Sequence, residues 1–221
     1  MESEIFDARI VSPAGIIYAG APMAGKTTHI LRLLENNTRL FTKKFEYIYW
    51  FYGQYNSTIR MLEQNPQLNI IPVAGLPENI EDYIFSDKHG CHIYDDLMNE
   101  ASSNKHILDL ASKKCHHNSI TWILVMQNLF HHGKERVSLL RCAHYLVIFK
   151  NPLDKSMAYH LANKIMPKNQ KCFLDIYNEA TSKPNSYLFI DGAQSTPENA
   201  RLRSDIFATV QKVYIPRGGK K

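Results

Sequence analysis

The sequence predicts a three-layer α/β fold around a mostly parallel central sheet. Short apolar, β-branched runs alternate with polar helical stretches along the chain. Those runs are apolar almost without break, as strands covered on both faces are. A glycine-rich loop joins the first run to the first helical stretch. Together these argue for strand–helix alternation in a layered α/β domain.

The predicted strands are residues 15–20 (GIIYAG), 47–53 (YIYWFYG), 69–73 (NIIPV), 91–96 (CHIYDD), 120–127 (ITWILVMQ), 144–149 (HYLVIF) and 186–190 (SYLFI). Helices are predicted over 27–35, over 57–64 with Asn56 or Ser57 as cap, and over 102–116 with Ile107, Leu108, Leu110 and Ala111 at helical spacing. Two more are predicted over 153–166, stopped by Pro167, and over 170–180, where Phe173, Leu174, Ile176 and Tyr177 share a side.

At 221 residues, with 44% hydrophobic and 21% charged residues, the composition is that of one folded globular domain. No uncharged apolar run approaches the roughly 18 residues of a membrane span. The opening MESEIFDARI is acidic and lacks an apolar stretch, so no secretory signal and an intracellular setting are expected. The net charge of +5 is concentrated at one end: residues 201–221 hold six basic residues and one acidic one, and the first 200 hold 20 of each sign. The reading is one folded domain over 1–200 and a basic tail over 201–221, which suits an anionic partner or a solvated end alike. Cys91, Cys115, Cys142 and Cys172 lie far apart and form no CxxC pair, so reduced thiols are expected. Cys115-His116-His117 and His131-His132 lack a second pair at ligand spacing, so no zinc site is expected.

The strongest chemical signal is GAPMAGKT, Gly20 to Thr27, which fits G-x-x-x-x-G-K-[ST] between a buried-strand pattern and a helical one. Gly20 and Gly25 permit turns that a side chain forbids. Gly20, Ala21, Pro22, Met23, Ala24, Gly25, Lys26, Thr27 and Thr28 form the segment that would wrap a phosphate tail through its backbone N–H groups, Pro22 having none to give. Lys26 is expected to reach the β- and γ-phosphates of ATP, and Thr27 to ligate Mg²⁺.

His92-Ile93-Tyr94-Asp95-Asp96 ends a strand on two carboxylates. Asp95 is the metal-side candidate, and Asp96 the candidate to activate water, with Glu100 one helical turn further as the other base. The pair also reads as a helix cap and first-turn acid opening DDLMNEA. Gln127 stands at the end of another buried strand, where ligands of open α/β sheets sit, and can orient water or sense the γ-phosphate. Asn128 can do the same, or start a turn.

GAPMAGKTT, IYDDLMNEA, VMQNLFHHGK and HYLVIFKNPLD, in that order, resemble the genome-packaging ATPases of the FtsK/HerA superfamily. The likeness is to the compact group in Polinton/Maverick elements and adintoviruses, akin to poxvirus packaging ATPases, and covers nearly the whole chain. It implies a P-loop NTPase of the additional-strand type, in which an inserted strand separates the phosphate-loop strand from the acidic one. It implies an ATP-driven motor that moves double-stranded DNA into a capsid, without reading sequence, at the host or virion assembly site. It implies a homo-oligomeric ring, a capsid or portal partner and no membrane. Lys26, Thr27, Asp95, Asp96 and Gln127 fall on the family's nucleotide site, although the superfamily often has Glu where this chain has Asp96. Arg136 falls where an arginine reaches the neighbouring subunit's nucleotide, with Arg141 close behind. Lys134, Lys150, Lys155 and the basic tail are candidates for DNA phosphate contacts.

Two other readings fit a phosphate loop. A nucleoside or nucleotide kinase has the right size, but the region after Phe149 shows scattered lysines and no arginine cluster to clamp a transferred phosphate. A non-catalytic nucleotide-binding adaptor would have no use for the paired aspartates and Gln127.

Overall fold

The computed structural model describes residues 6–97, 105–130 and 134–216. All seven predicted strands form: β1 (Gly15–Ala19), β2 (Tyr47–Tyr52), β3 (Ile70–Ala74), β4 (Gly90–Asp95), β5 (Ile120–Met126), β6 (Tyr145–Phe149) and β7 (Tyr187–Asp191). β8 (Leu202–Ser204) and β9 (Lys212–Val213) follow. One sheet holds them in the order β3-β2-β4-β5-β1-β6-β7-β8-β9. Pairing is parallel from β3 to β6 and antiparallel from β6 to β9.

The continuous apolar runs are explained by burial on both faces. Every residue of β1 and of β5 is buried. Side chains alternate across the sheet, so one strand feeds two cores. Ile17, Ala19, Leu124 and Ile148 pack with Met157, Leu161 and Phe173 from the helices Ser156–Ile165 and Gln170–Ala180. Ile16, Tyr18, Ile123 and Val147 pack on the other face with Ile30, Leu33 and Leu34 of helix α1 (Lys26–Glu35) and with Ile59 and Leu62 of Ser57–Gln64. The result is the expected three layers.

The helix ends follow local chemistry. Asn56 Oδ1 accepts from the amides of Thr58 (2.9 Å) and Ile59 (3.2 Å) and so caps Ser57–Gln64. The stretch predicted over 153–166 becomes helical only at Ser156, because the side chains of Asn151 and Asp154 bind the amides of Leu153, Asp154 and Ser156 in turns. The stretch predicted over 102–116 is described from Lys105 and runs as α-helix Lys105–Asp109, a π turn over Leu110–Lys114, and Cys115–His117.

Part of the basic segment is not a tail. Leu202–Ser204 pairs with β7, and Lys212–Val213 pairs with β8. Arg203 is 1% exposed and ion-paired with Asp191. Its guanidinium also donates to Ala8 O (2.8 Å) and Gln211 Oε1 (3.1 Å) and lies 4.9 Å from the Phe189 ring centre. Arg201 binds Glu198, and Lys212 binds Glu179. A charge count along a segment does not register the carboxylates it meets after folding. Residues 217–221, with three of the six basic residues, lie outside the described residues.

Asp191→Ala would leave the Arg203 guanidinium buried without its counter-charge. The expected cost is about 3–5 kcal/mol, read as a lower urea midpoint. Asp191→Leu combined with Arg203→Met should recover most of it; a single variant as stable as the wild type would refute the assignment.

Candidate functional site

β1 delivers the chain into the glycine-rich loop at the edge where the parallel strands end. The Gly20 amide donates to Met126 O at 3.3 Å, tying the loop to the end of β5. A Cβ at Gly20 would stand 2.6 Å from Phe149 Cβ, so β6 approaches here at a distance only glycine allows. Gly25 is left-handed, with φ 95° and ψ 10°, and serves as the N-cap of α1. That corner aims the first turn of the helix back across the loop.

The first turn is left open. The first intrahelical bond runs from the His29 amide to Gly25 O at 2.9 Å. The amides of Lys26, Thr27 and Thr28 therefore have no helix partner. Among the described residues no side chain caps this end, and no acid stands in its first turn. Lys26 folds back so that Nζ donates to Gly20 O (2.7 Å) and Ala21 O (2.8 Å). Free amides, a helix dipole and an ammonium converge on one loop, which is a site for an anion with several oxygens.

Opposite the lysine stands Asp95, the last residue of β4. The two are close enough to act on each other. Burial lowers the Lys26 pKa and Asp95 opposes the fall. Burial raises the Asp95 pKa; the Trp50 indole N–H, near it but short of full hydrogen-bond geometry, pulls it down, Asp96 pushes it up, and Lys26 lowers it. Asp96 follows as an exposed residue in the left-handed region, φ 56°. The corner is fixed by Gly53 at the end of β2. Its amide donates to Asp95 O at 3.1 Å, and a Cβ there would run into the Asp96 carbonyl.

β5 lies between β1 and β4, with Ala19 beside Met126 and Tyr94 beside Leu124. Gln127 thus emerges, exposed, between the phosphate loop and the acidic corner. Asn128 takes the turn role: its Nδ2 donates to Asp154 Oδ2 (2.7 Å), and its Oδ1 accepts from the Phe130 amide (2.9 Å).

Lys26, Asp95, Asp96 and Gln127 are therefore gathered at one edge of the sheet. Glu100 and His131-His132 lie outside the described residues. Arg136 is on the helix Lys134–Cys142, and its side chain and that of Lys134 also lie outside them. Arg141, Lys150 and Lys155 are exposed. The sequence reading did not single out Trp50, Gly53 or Asn185. Asn185 packs on Gly25, where a Cβ would come within 3.1 Å of it. Its only signal in the sequence is the turn-forming Pro184-Asn185 pair.

The residues present fit a magnesium nucleotide. Three open amides and an ammonium suit phosphate oxygens, and the Thr27 hydroxyl and Asp95 carboxylate are the hard oxygen donors Mg²⁺ takes.

Solved structures resemble this arrangement. B204, the DNA-packaging ATPase of Sulfolobus turreted icosahedral virus, matches with a TM-score of 0.56 and 11% identity, over 93% of this chain and 98% of that one. B204 of Sulfolobus turreted icosahedral virus 2, a genome-packaging NTPase in complex with ATP-gammaS, matches with a TM-score of 0.48 and 13% identity, over 92% and 97%. EssC, ATPases 2 and 3, from Geobacillus thermodenitrificans matches with a TM-score of 0.56 and 15% identity, over 94% of this chain and 40% of that one. The fold is that of the P-loop ATPases. The inserted strand is β5, the strand that Gln127 follows. No protein-family model and no curated protein matches the sequence.

Two buried histidines make the stability of the fold depend on pH. His29, on α1, is buried and shares a 2.9 Å hydrogen bond with the Tyr18 hydroxyl of β1; burial first, then Arg32, lowers its pKa to about 3. His92, on β4, is fully buried beside Tyr83 O at 3.0 Å, and burial lowers its pKa to about 4 against the effect of that carbonyl. Both titrate near 6.5 in an unfolded chain. The folded pKa values are depressed, so stability is full above pH 6.5 and falls with pH as the unfolded chain takes up protons the fold refuses. Each histidine contributes about 1.4 kcal/mol per pH unit below that point. Urea midpoints from pH 7 to 5 should fall accordingly, and His92→Gln should remove one histidine's share; an unchanged slope in the variant would contradict this.

Proposed function

We propose that the chain is an ATP-driven motor that packages double-stranded DNA into a viral capsid, of the type found in Polinton/Maverick elements and adintoviruses. The observation that carries the reading is the open first turn of α1 facing Asp95, with the strand of Gln127 set between them. The general likeness in fold to a DNA-packaging ATPase supports it.

In this reading the amides of Lys26, Thr27 and Thr28 and the Lys26 ammonium hold the β- and γ-phosphates of ATP. Thr27 and Asp95 hold magnesium, which when bound neutralises charge on the phosphate oxygens. Asp96 or Glu100 takes the proton of the attacking water, and Gln127 orients that water. Burial raises the pKa of Asp95, and a cation bound beside it would lower it. Arg136 reaches the nucleotide of a neighbouring subunit in a homo-oligomeric ring, where a guanidinium stabilises charge on the transferring phosphate. Exposed Lys150 and Lys155 contact DNA phosphates without reading bases. A capsid or portal protein is the docking partner, and the setting is the host cell or virion assembly site. Among the described residues no helix is long and apolar enough to cross a membrane.

The wild-type protein should hydrolyse ATP faster with double-stranded DNA present, and Lys26→Ala should abolish turnover. Mixing Arg136→Ala with Lys26→Ala subunits should restore part of the activity, because each supplies what the other lacks across an interface. Phosphate transfer from radiolabelled ATP to a nucleoside, with no stimulation by DNA, would replace the motor by a kinase.

A further inference from the structure

A cleft of about 460 Å³ opens beside the phosphate loop, on the side away from Asp95. Its floor is one face of α1, where Gly25, Thr28 and Arg32 recur at helical spacing. Its walls are two turns, residues 183–187 and 205–208. Both are built firmly. Ser186 Oγ accepts from the Lys183 amide at 3.1 Å and donates to Lys183 O at 2.7 Å. The Ala208 amide donates to Asp205 O at 2.8 Å, and the Ile206 amide donates to the buried Tyr187 hydroxyl at 3.1 Å. Arg39 from the helix Asn37–Leu40 holds Phe207 O at 2.9 Å.

The cleft contains a stacking platform. The guanidinium of Arg32 lies over the Phe207 ring, 4.4 Å from its centre. Arg32 is exposed, so a ligand in the cleft can reach the side chain from solvent. A guanidinium held over an aromatic ring offers its planar group as a surface on which a nucleobase stacks. Arg32 stands about 6 Å further along the helix axis than Thr28, from a rise of 1.5 Å per residue. A ligand whose anionic end occupies the first turn of α1 therefore runs along the helix to reach it. Asp205, exposed and left-handed at φ 55°, places a carboxylate in the lining of the same cleft, an acceptor for an amino group.

We propose that this cleft binds the base of the nucleotide, an amino-bearing purine stacked on the Arg32–Phe207 platform with Asp205 accepting from its edge. The inference rests on the phosphate-loop reading, because the loop anchors the other end of the ligand. Arg32 is then a residue that selects nucleotide over bare polyphosphate, and it takes no part in the chemistry.

Titration calorimetry with two probes, magnesium ATP-gammaS and magnesium tripolyphosphate, tests it. Arg32→Ala should weaken ATP-gammaS about tenfold, the scale of one lost base stack, and leave tripolyphosphate unchanged. Arg32→Lys keeps the charge and loses the plane, so it should weaken ATP-gammaS to a similar degree. Asp205→Asn should narrow the preference for an amino-purine over the inosine analogue. If Arg32→Lys binds ATP-gammaS like the wild type, or both Arg32 variants lose the two probes equally, the platform is refuted. If the wild type binds neither probe, the phosphate-loop reading itself falls, and the inference with it. Equal melting temperatures across the variants exclude misfolding as the cause.

Discussion

The site depends on one constraint: α1 must start one tight glycine-rich loop after a buried strand, with nothing of its own to satisfy its first amides. β1 is buried on both faces, so the chain turns at once where the sheet ends. The left-handed Gly25 makes that turn and points the helix dipole into the loop. A capping serine or aspartate would stabilise the helix by about 1 kcal/mol and would occupy the amides a phosphate needs. The fold forgoes the cap, and Lys26 fills part of the space by bonding to loop carbonyls. Local stability is thus held back at the place where a ligand can restore it.

Much of the architecture was legible in the sequence because burial on both faces writes itself as unbroken apolar runs. β1 to β7 each fall within a residue or two of their expected positions, and the helix Gln170–Ala180 matches at both ends. The loop was legible because its chemistry is local: Gly20, Gly25, Lys26 and Thr27 act through their own backbone and neighbours. The pairing of Lys26 with Asp95 is a different matter. It depends on strand order, and nothing in the spacing of about 70 residues says that β5 slips between β1 and β4. That arrangement entered through resemblance to a family whose sheet has the same insertion.

What escaped the sequence were features made by segments too short or too polar to carry a period. β8 reads Leu-Arg-Ser and β9 has two residues, so neither shows a run or an alternation. Arg203 is among the most polar side chains known, yet it is enclosed because Asp191 and the Ala8 carbonyl meet it. Likewise Arg32 reads as an ordinary last-turn cation of α1 until Phe207, far along the chain, comes to lie beneath it. Such sites are visible only after folding, because each partner is unremarkable alone.

The Arg203 guanidinium also ties together segments that lie far apart in the chain. It joins Ala8, near the beginning of the described chain, to Asp191 and Gln211, near its end. Because one buried guanidinium holds both, the segment leading into β1 and the antiparallel edge of the sheet form a single clasp, and loosening either loosens the other.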